Sequence, residues 1–275
     1  KNNLTGYGRL LSLDALRGFD MMFIIGLSGI IISICALFPD GDNSWLAMQM
    51  KHVKWEGFHH HDTIFALFLF ISGMTFPFSS AKKLEKGMSK GNLTKDVLKR
   101  ACILFFLGLV YQGLFQFHFS TLRFMSVLGR IGIGGAVAAI IYCYTGRKTQ
   151  YGIAAGILIG YFFLLKFTIA PDAPAGADSL SKMGNISYYI DRIILGNHAY
   201  KPYGDPVGLL STVPAIVTAL LGMFTGRYVK ESDDFAAFWK ILEDNLRERY
   251  NAAPVHSLAE ITMLKTRFPD HIRLF

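Results

Sequence analysis

The sequence predicts an all-α, polytopic membrane protein with six transmembrane helices and a short helical cytoplasmic tail. Two observations carry this expectation. Hydrophobic residues make up 52% of the 275 and charged residues only 17%, whereas soluble domains hold roughly 25% charged residues. Six apolar stretches also approach ~20 residues, the helical length that crosses a hydrocarbon core of ~30 Å. Charge divides the chain further. Residues 1–230 carry 22 basic and 12 acidic side chains, and residues 231–275 carry 6 and 8. A membrane domain over 1–230 and a soluble tail of unassigned role over 231–275 follow. This composition excludes a disordered chain, a collagen-like repeat and a disulfide scaffold. The lipid bilayer is an expected partner, nucleic acid is not, and a homo-oligomer is compatible with the chain.

The stretches are 21–38, 63–81, 101–117, 124–144, 150–165 and 207–226. Five hold no charge, and the fourth in order holds only Arg130. The fifth is short, and Lys166 extends it by snorkelling. Cys35, Cys102 and Cys143 all fall in apolar runs and read as small buried hydrophobes without metal-ligand spacing. No short apolar segment with a small-residue cleavage site lies near the start, so a removed signal peptide is not expected.

Lysine and arginine set the orientation. Segment 82–100 alone carries seven of them. With the N-terminus inside, the inner segments hold 14 Lys/Arg and the outer ones 7, the arrangement that the positive-inside rule favours. A multi-pass protein of a bacterial inner membrane, N-terminus cytoplasmic, is the expectation. Six of the eight histidines then fall at or near the outer side, so histidine chemistry belongs there. The outer segment 166–206 is long enough to be functional, with a short helix expected over 186–195. In the tail, Phe235, Phe238, Trp239, Ile241, Leu242 and Leu246 alternate with charges over 233–250, an amphipathic helical pattern. A second helix is expected over 257–266.

The candidate chemistry begins with KHVKWEGFHHHDTIFALFLFISG, residues 51–73. His52, Trp55 and Asp62 stand where the chain enters the membrane. Ionisable groups there are costly unless paired or lining a polar cavity. Imidazole acts as nucleophile or general base near neutral pH, and Asp62 can orient it through its N–H. A wet interfacial loop, with Trp55 in the aromatic belt, is the competing reading. His59, His60 and His61 suggest a metal at first sight, yet adjacent residues rarely converge on one ion. No metal is expected.

Before the first span, RLLSLDALRGFDM at 9–21 places Asp14 and Arg17 as an i,i+3 pair, with Ser12 as the N-cap. Inside the fourth span, Arg130 demands a protein, ligand or water partner. Its guanidinium suits phosphate or carboxylate, and an ion pair with Asp62 or Asp14 is the structural alternative. GDPVGLLSTVPAIVTALLG at 204–222 offers Asp205, Ser211 and Thr212 to a substrate cavity or to helix packing, and Pro214 is expected to kink the helix. The basic segment 82–100 attracts anionic headgroups or a phosphorylated cofactor.

SLDALRGFD at 12–20, the 51–73 stretch, LRFMSVLGRIG at 122–132 and DPVGLLSTVPAIVTALLG resemble, in order, motifs of the heparan-α-glucosaminide N-acetyltransferase family and its bacterial homologues. The resemblance covers residues 9–230 and none of the tail. It implies a multi-pass, acetyl-CoA-dependent acyltransferase acting on a glucosamine amine across the membrane. It maps the catalytic pair onto His52 and Asp62, with His52 as nucleophile or general base. Arg130, Arg17 and Ser28 fall to acetyl-CoA, and Trp55, Asp205, Ser211 and Thr212 to the amino sugar or saccharide. Ser28 stands where the family has Asn, Gly129 where it has Gln, and Val207 where it has an acid. Members of the family carry more spanning helices than six, which implies a C-terminally truncated or fused member. A saccharide transporter and an inactive homologue are the alternatives.

Overall fold

The computed structural model describes residues 11–232, so both helices expected in the tail lie outside the described residues. The chain forms two compact units. One is Ser28–Arg227, and the other joins the residues before Ser28 to those after Arg227. The second unit contributes α1 (Leu11–Met22), followed by a wide helical turn over Phe23–Leu27 that is non-helical at Gly26. Ser12 already lies inside α1, so it does not stand at the N-cap. The expected i,i+3 pair is present, with Arg17 Nη1 3.5 Å from Asp14.

The unit Ser28–Arg227 opens with α2 (Ser28–Cys35), a 3-10 turn over Gly41–Asn43 and α3 (Trp45–Gln49). The long helices follow: α4 (His60–Glu85), α5 (Lys90–Tyr111), α6 (Val127–Tyr144) and α7 (Arg147–Phe167). Then come α8 (Ile186–Leu195), where the short outer helix was expected, and α9 (Thr212–Glu231). Among the described residues extended pairing is limited to two isolated bridges.

Among the described residues, five helices are long and apolar enough to cross a membrane: Leu13–Cys35, His60–Glu85, Val127–Tyr144, Arg147–Phe167 and Thr212–Glu231. The chain is thus a multi-pass membrane protein, with five such helices where six were expected. The difference lies at 101–117. The Ser89 side chain accepts from the Asn92 N–H at 3.2 Å and starts α5 well before the apolar stretch. The helix therefore begins in charged sequence and stops at Tyr111, short of Phe117. A 3-10 turn over Leu114–Gln116 follows. Pro214 also behaves differently from expectation. It sits in the first turn of α9, where a missing N–H costs nothing, so it starts the helix rather than kinking it. Cys102 is exposed and Cys35 and Cys143 are half-buried. They are not the enclosed small hydrophobes that their apolar neighbours suggested, because apolar helix faces in this chain point outward as well as inward.

The core of this unit gathers Leu69 of α4, Ile131 and Ala138 of α6, Ala154 of α7 and Val217, Leu220 and Met223 of α9. Close approach between helices depends on glycine, as is usual where small residues let backbones touch. A Cβ on Gly73 would fall 2.2 Å from the Ala219 carbonyl oxygen. From the other side, one on Gly222 would fall 2.1 Å from the Phe70 oxygen, and one on Gly226 2.1 Å from that of Met74. The α4–α9 seam is therefore backbone against backbone along two turns.

Gly222→Ala should separate these helices. Overpacking of this kind costs about 1–3 kcal/mol, so its unfolding midpoint in detergent should fall clearly. Gly156→Ala on α7, where an added Cβ meets nothing within 4 Å, should leave it unchanged. Equal midpoints for the two variants would contradict the seam.

Candidate functional site

The N-terminal ends of α4, α6 and α9 carry the polar groups that the sequence singled out. Asp62 occupies the third position of α4. There its Oδ2 accepts the His59 backbone N–H at 3.0 Å, capping the helix where the N-terminal partial charge favours an anion. Its Oδ1 lies 2.7 Å from His52 Nδ1. One carboxylate thus caps a helix and holds an imidazole ten residues earlier. The side chain of His52 is 71% exposed and that of Asp62 25%. With Nδ1–H on the carboxylate, His52 Nε2 carries the lone pair.

The loop between α3 and α4 is held at several points. Gln49 Oε1 accepts the His60 N–H at 2.9 Å, and His59 Nδ1 donates to the Lys51 carbonyl at 2.8 Å. Trp55 Nε1 donates to the Leu180 carbonyl at 2.9 Å. His61 turns elsewhere, its Nδ1 3.1 Å from the Ser28 hydroxyl. Its ring meets that of His52 edge to face at 4.4 Å. Neighbouring histidines point to different partners, and among the described residues no cluster of His, Cys, Asp or Glu is placed to hold a metal.

Trp55 forms an aromatic wall with Tyr188 of α8, the ring centroids 5.3 Å apart, and Tyr188 stacks on Tyr203. Lys182 lies over both Trp55 and Tyr203. Burial pushes the Tyr188 phenol up to about 12, so it stays protonated and able to donate.

Arg130, in the first turn of α6, donates to the Ser211 hydroxyl and, at 3.1 Å, to the Pro206 carbonyl. It makes no ion pair with Asp62, whose oxygens are taken by His52 and the His59 N–H, and Asp14, the other expected partner, lies in the other unit, where it pairs with Arg17. The Arg130 guanidinium lies 5.7 Å from the centroid of Phe65, one turn along α4 from Asp62. Asp205 is fully buried. Arg123 grips it through Nε at 2.8 Å and Nη2 at 2.6 Å, while the Tyr200 and Val207 N–H groups donate to its oxygens. This clamp fixes the turn that presents Pro206 and Ser211 to Arg130. Thr212 is buried, and its hydroxyl donates to the Gly208 carbonyl at 2.8 Å.

His52, Asp62, His61 and Ser28 therefore lie on one contact network, Trp55 belongs to the aromatic wall with Tyr188, and Arg130 joins Ser211 beside Phe65. Arg17 lies in α1, in the other unit. Sequence reasoning missed the neighbourhood of His61, the grip of Arg123 on Asp205, and Asp191. Arg123 carried a signal, since a cation seven residues before another places both on the approach to one helix. Asp191 carried none beyond its place in the expected helix 186–195.

Asp191 is fully buried in α8. Its Oδ1 accepts the Leu209 N–H at 2.9 Å. The carboxyl fills the space above Gly208, where a Cβ would come within 1.8 Å of Oδ2. Burial raises its pKa from 3.8 to about 6. A carboxyl with a raised folded pKa holds its proton more tightly in the folded state, so stability falls as pH rises through that window. Wild-type protein should lose thermal stability in detergent between pH 4 and about 6. Asp191→Asn, which keeps an oxygen for Leu209, should lose less over the same range. Parallel pH profiles would contradict this.

An all-helical multi-pass membrane protein with an aspartate-held histidine at one end of its bundle is the class that fold and site define. Comparison with known proteins supplies relatives. The chain is 25% identical to heparan-alpha-glucosaminide N-acetyltransferase of Homo sapiens, over 80% of this chain and 38% of that protein. It is 24% identical to the enzyme of the same name from Mus musculus, over 80% of this chain and 39% of that protein. No family model matches. The chain spans about two-fifths of the length of these curated relatives. The resemblance carried by the four motifs thus extends over four-fifths of the chain.

Proposed function

We propose that this chain is the membrane portion of an acyltransferase. It moves an acetyl group from cytoplasmic acetyl-CoA to the amine of a glucosamine-type sugar on the other side of the membrane. The observation that carries the reading is the 2.7 Å contact between His52 Nδ1 and Asp62, on a largely exposed imidazole. The names of the two relatives support the reaction class and the amino sugar. The charge asymmetry supports an N-terminus in the cytoplasm. The resemblance to bacterial homologues supports a bacterial inner membrane. On this orientation the histidine faces the outer side, opposite the basic segment 82–100.

The chemistry requires an amine to attack a thioester carbonyl and to lose a proton. His52 Nε2 serves as base for that proton or attacks the thioester itself. Asp62 holds the tautomer that leaves Nε2 unprotonated and stabilises the imidazolium that forms. Arg130 of α6, over Phe65 one turn along α4 from Asp62, is a cation available to the oxyanion or to a phosphate of the donor. Ser28 acts through His61, whose Nδ1 lies 3.1 Å from its hydroxyl. The wall of Trp55, Tyr188 and Tyr203 offers flat apolar faces to a sugar ring, and Lys182 offers a donor to its hydroxyls. Ser211 joins this polar rim through Arg130. Asp205 and Thr212 support it from below, since both are buried.

Detergent-purified protein should transfer labelled acetyl from acetyl-CoA to glucosamine. Loss of general base or nucleophile costs at least ~100-fold, so His52→Ala should fall by that much or more. Asp62→Asn should fall less, because the imidazole remains. Transfer by His52→Ala within about threefold of wild type, well inside that expected loss, would sink the reading.

A further inference from the structure

We infer that His61, oriented by Ser28, is a second catalytic base, which takes the acceptor amine's proton while His52 carries the acetyl group. This rests on the acyltransferase reading above and decides between its two roles for His52. Two histidines stand edge to face at 4.4 Å. Each is held by its Nδ1, His52 on Asp62 and His61 on Ser28. Each therefore leaves its Nε2 for other work. Two imidazoles at one site, each oriented through Nδ1, are more than a single-base mechanism needs.

The surroundings show why the second imidazole matters. Once His52 is acylated at Nε2, its remaining ring nitrogen is on Asp62 and cannot accept a proton. Asp62 itself is engaged at both oxygens, by His52 and by the His59 N–H. His59 Nδ1 is tied to the Lys51 carbonyl. His61 is half-buried beside the acylated ring, its hydroxyl partner Ser28 being buried. With Ser28 Oγ accepting from Nδ1–H, His61 Nε2 bears the lone pair.

The steps balance. The His52 Nε2 lone pair bonds to the thioester carbonyl carbon, and the carbon–sulfur bond breaks with its electron pair on sulfur. Acetyl-imidazolium and CoA thiolate result. A neutral sugar amine then bonds to the same carbon. The carbon–Nε2 bond breaks, its pair returns to Nε2, and His52 is again neutral. The surplus proton on the amine nitrogen passes to His61 Nε2 and from there to water.

The test separates the half-reactions in detergent-purified protein with acetyl-CoA, with and without glucosamine. Wild type should release a stoichiometric burst of CoA before any acceptor is added, and His52→Ala should release none. His61→Gln should keep the burst, which also shows that it is folded, and lose transfer to glucosamine by ~100-fold or more. Ser28→Ala should keep the burst and lose transfer less severely. Burst and transfer falling together in His61→Gln would overturn the inference. So would transfer by that variant close to the wild-type rate. Turnover in wild type without a burst would overturn it while leaving the acyltransferase reading intact. Neither CoA release nor transfer in wild type would overturn both.

Discussion

The Asp62 carboxylate is the constraint on which the site depends. It sits at the third residue of α4 because an anion there satisfies an orphan N–H and the helix's positive end. From that position its second oxygen reaches His52 across a ten-residue loop. A helix cap and the anchor of His52 are thus one group. Moving the start of α4 by a residue would lose both, since the side chain would swing about 100° around the helix. The loop's other tethers, at Gln49, His59 and Trp55, keep His52 within reach of Asp62.

Below this point the helices must meet closely enough to bring α9 against α4. Gly73, Gly222 and Gly226 make that possible by removing side chains from the seam. The consequence reaches the site through chain connectivity. With α9 seated on α4, the turn before Thr212 lies at the same end as Asp62, and Arg123 locks it by gripping Asp205. Arg130 then finds neutral partners in Ser211 and the Pro206 carbonyl. A guanidinium bound to neutral oxygens keeps its charge uncompensated at close range. That suits a group meant to meet a developing negative charge.

Much of this was legible from the residues. Four of the spans could be placed from apolar length alone, and His52 and Asp62 from residue type at a membrane boundary. The helix over 186–195 could be placed within the long outer segment, after its prolines. The stretch 101–117 was misjudged because hydropathy registers the apolar half of α5 and not the Ser89 cap that starts it. Pro214 was read as a kink because its distance from the helix start depends on where the Asp205 turn ends. Arg130's partners were illegible for a deeper reason. What meets a half-buried cation is decided by packing, and the turn that Arg123 holds through Asp205 brings Ser211 and the Pro206 carbonyl to it. His61 was legible as a residue but not as a neighbour of His52, because that contact depends on α2 delivering Ser28 beside α4.

The most direct measurement is the tautomer of His52, read from ring nitrogen-15 shifts in protein with labelled histidine, assigned by His52→Gln. The account predicts a proton fixed on Nδ1 and a bare Nε2, with that preference lost in Asp62→Asn. A proton on Nε2, or a tautomer mixture indifferent to Asp62, would contradict it.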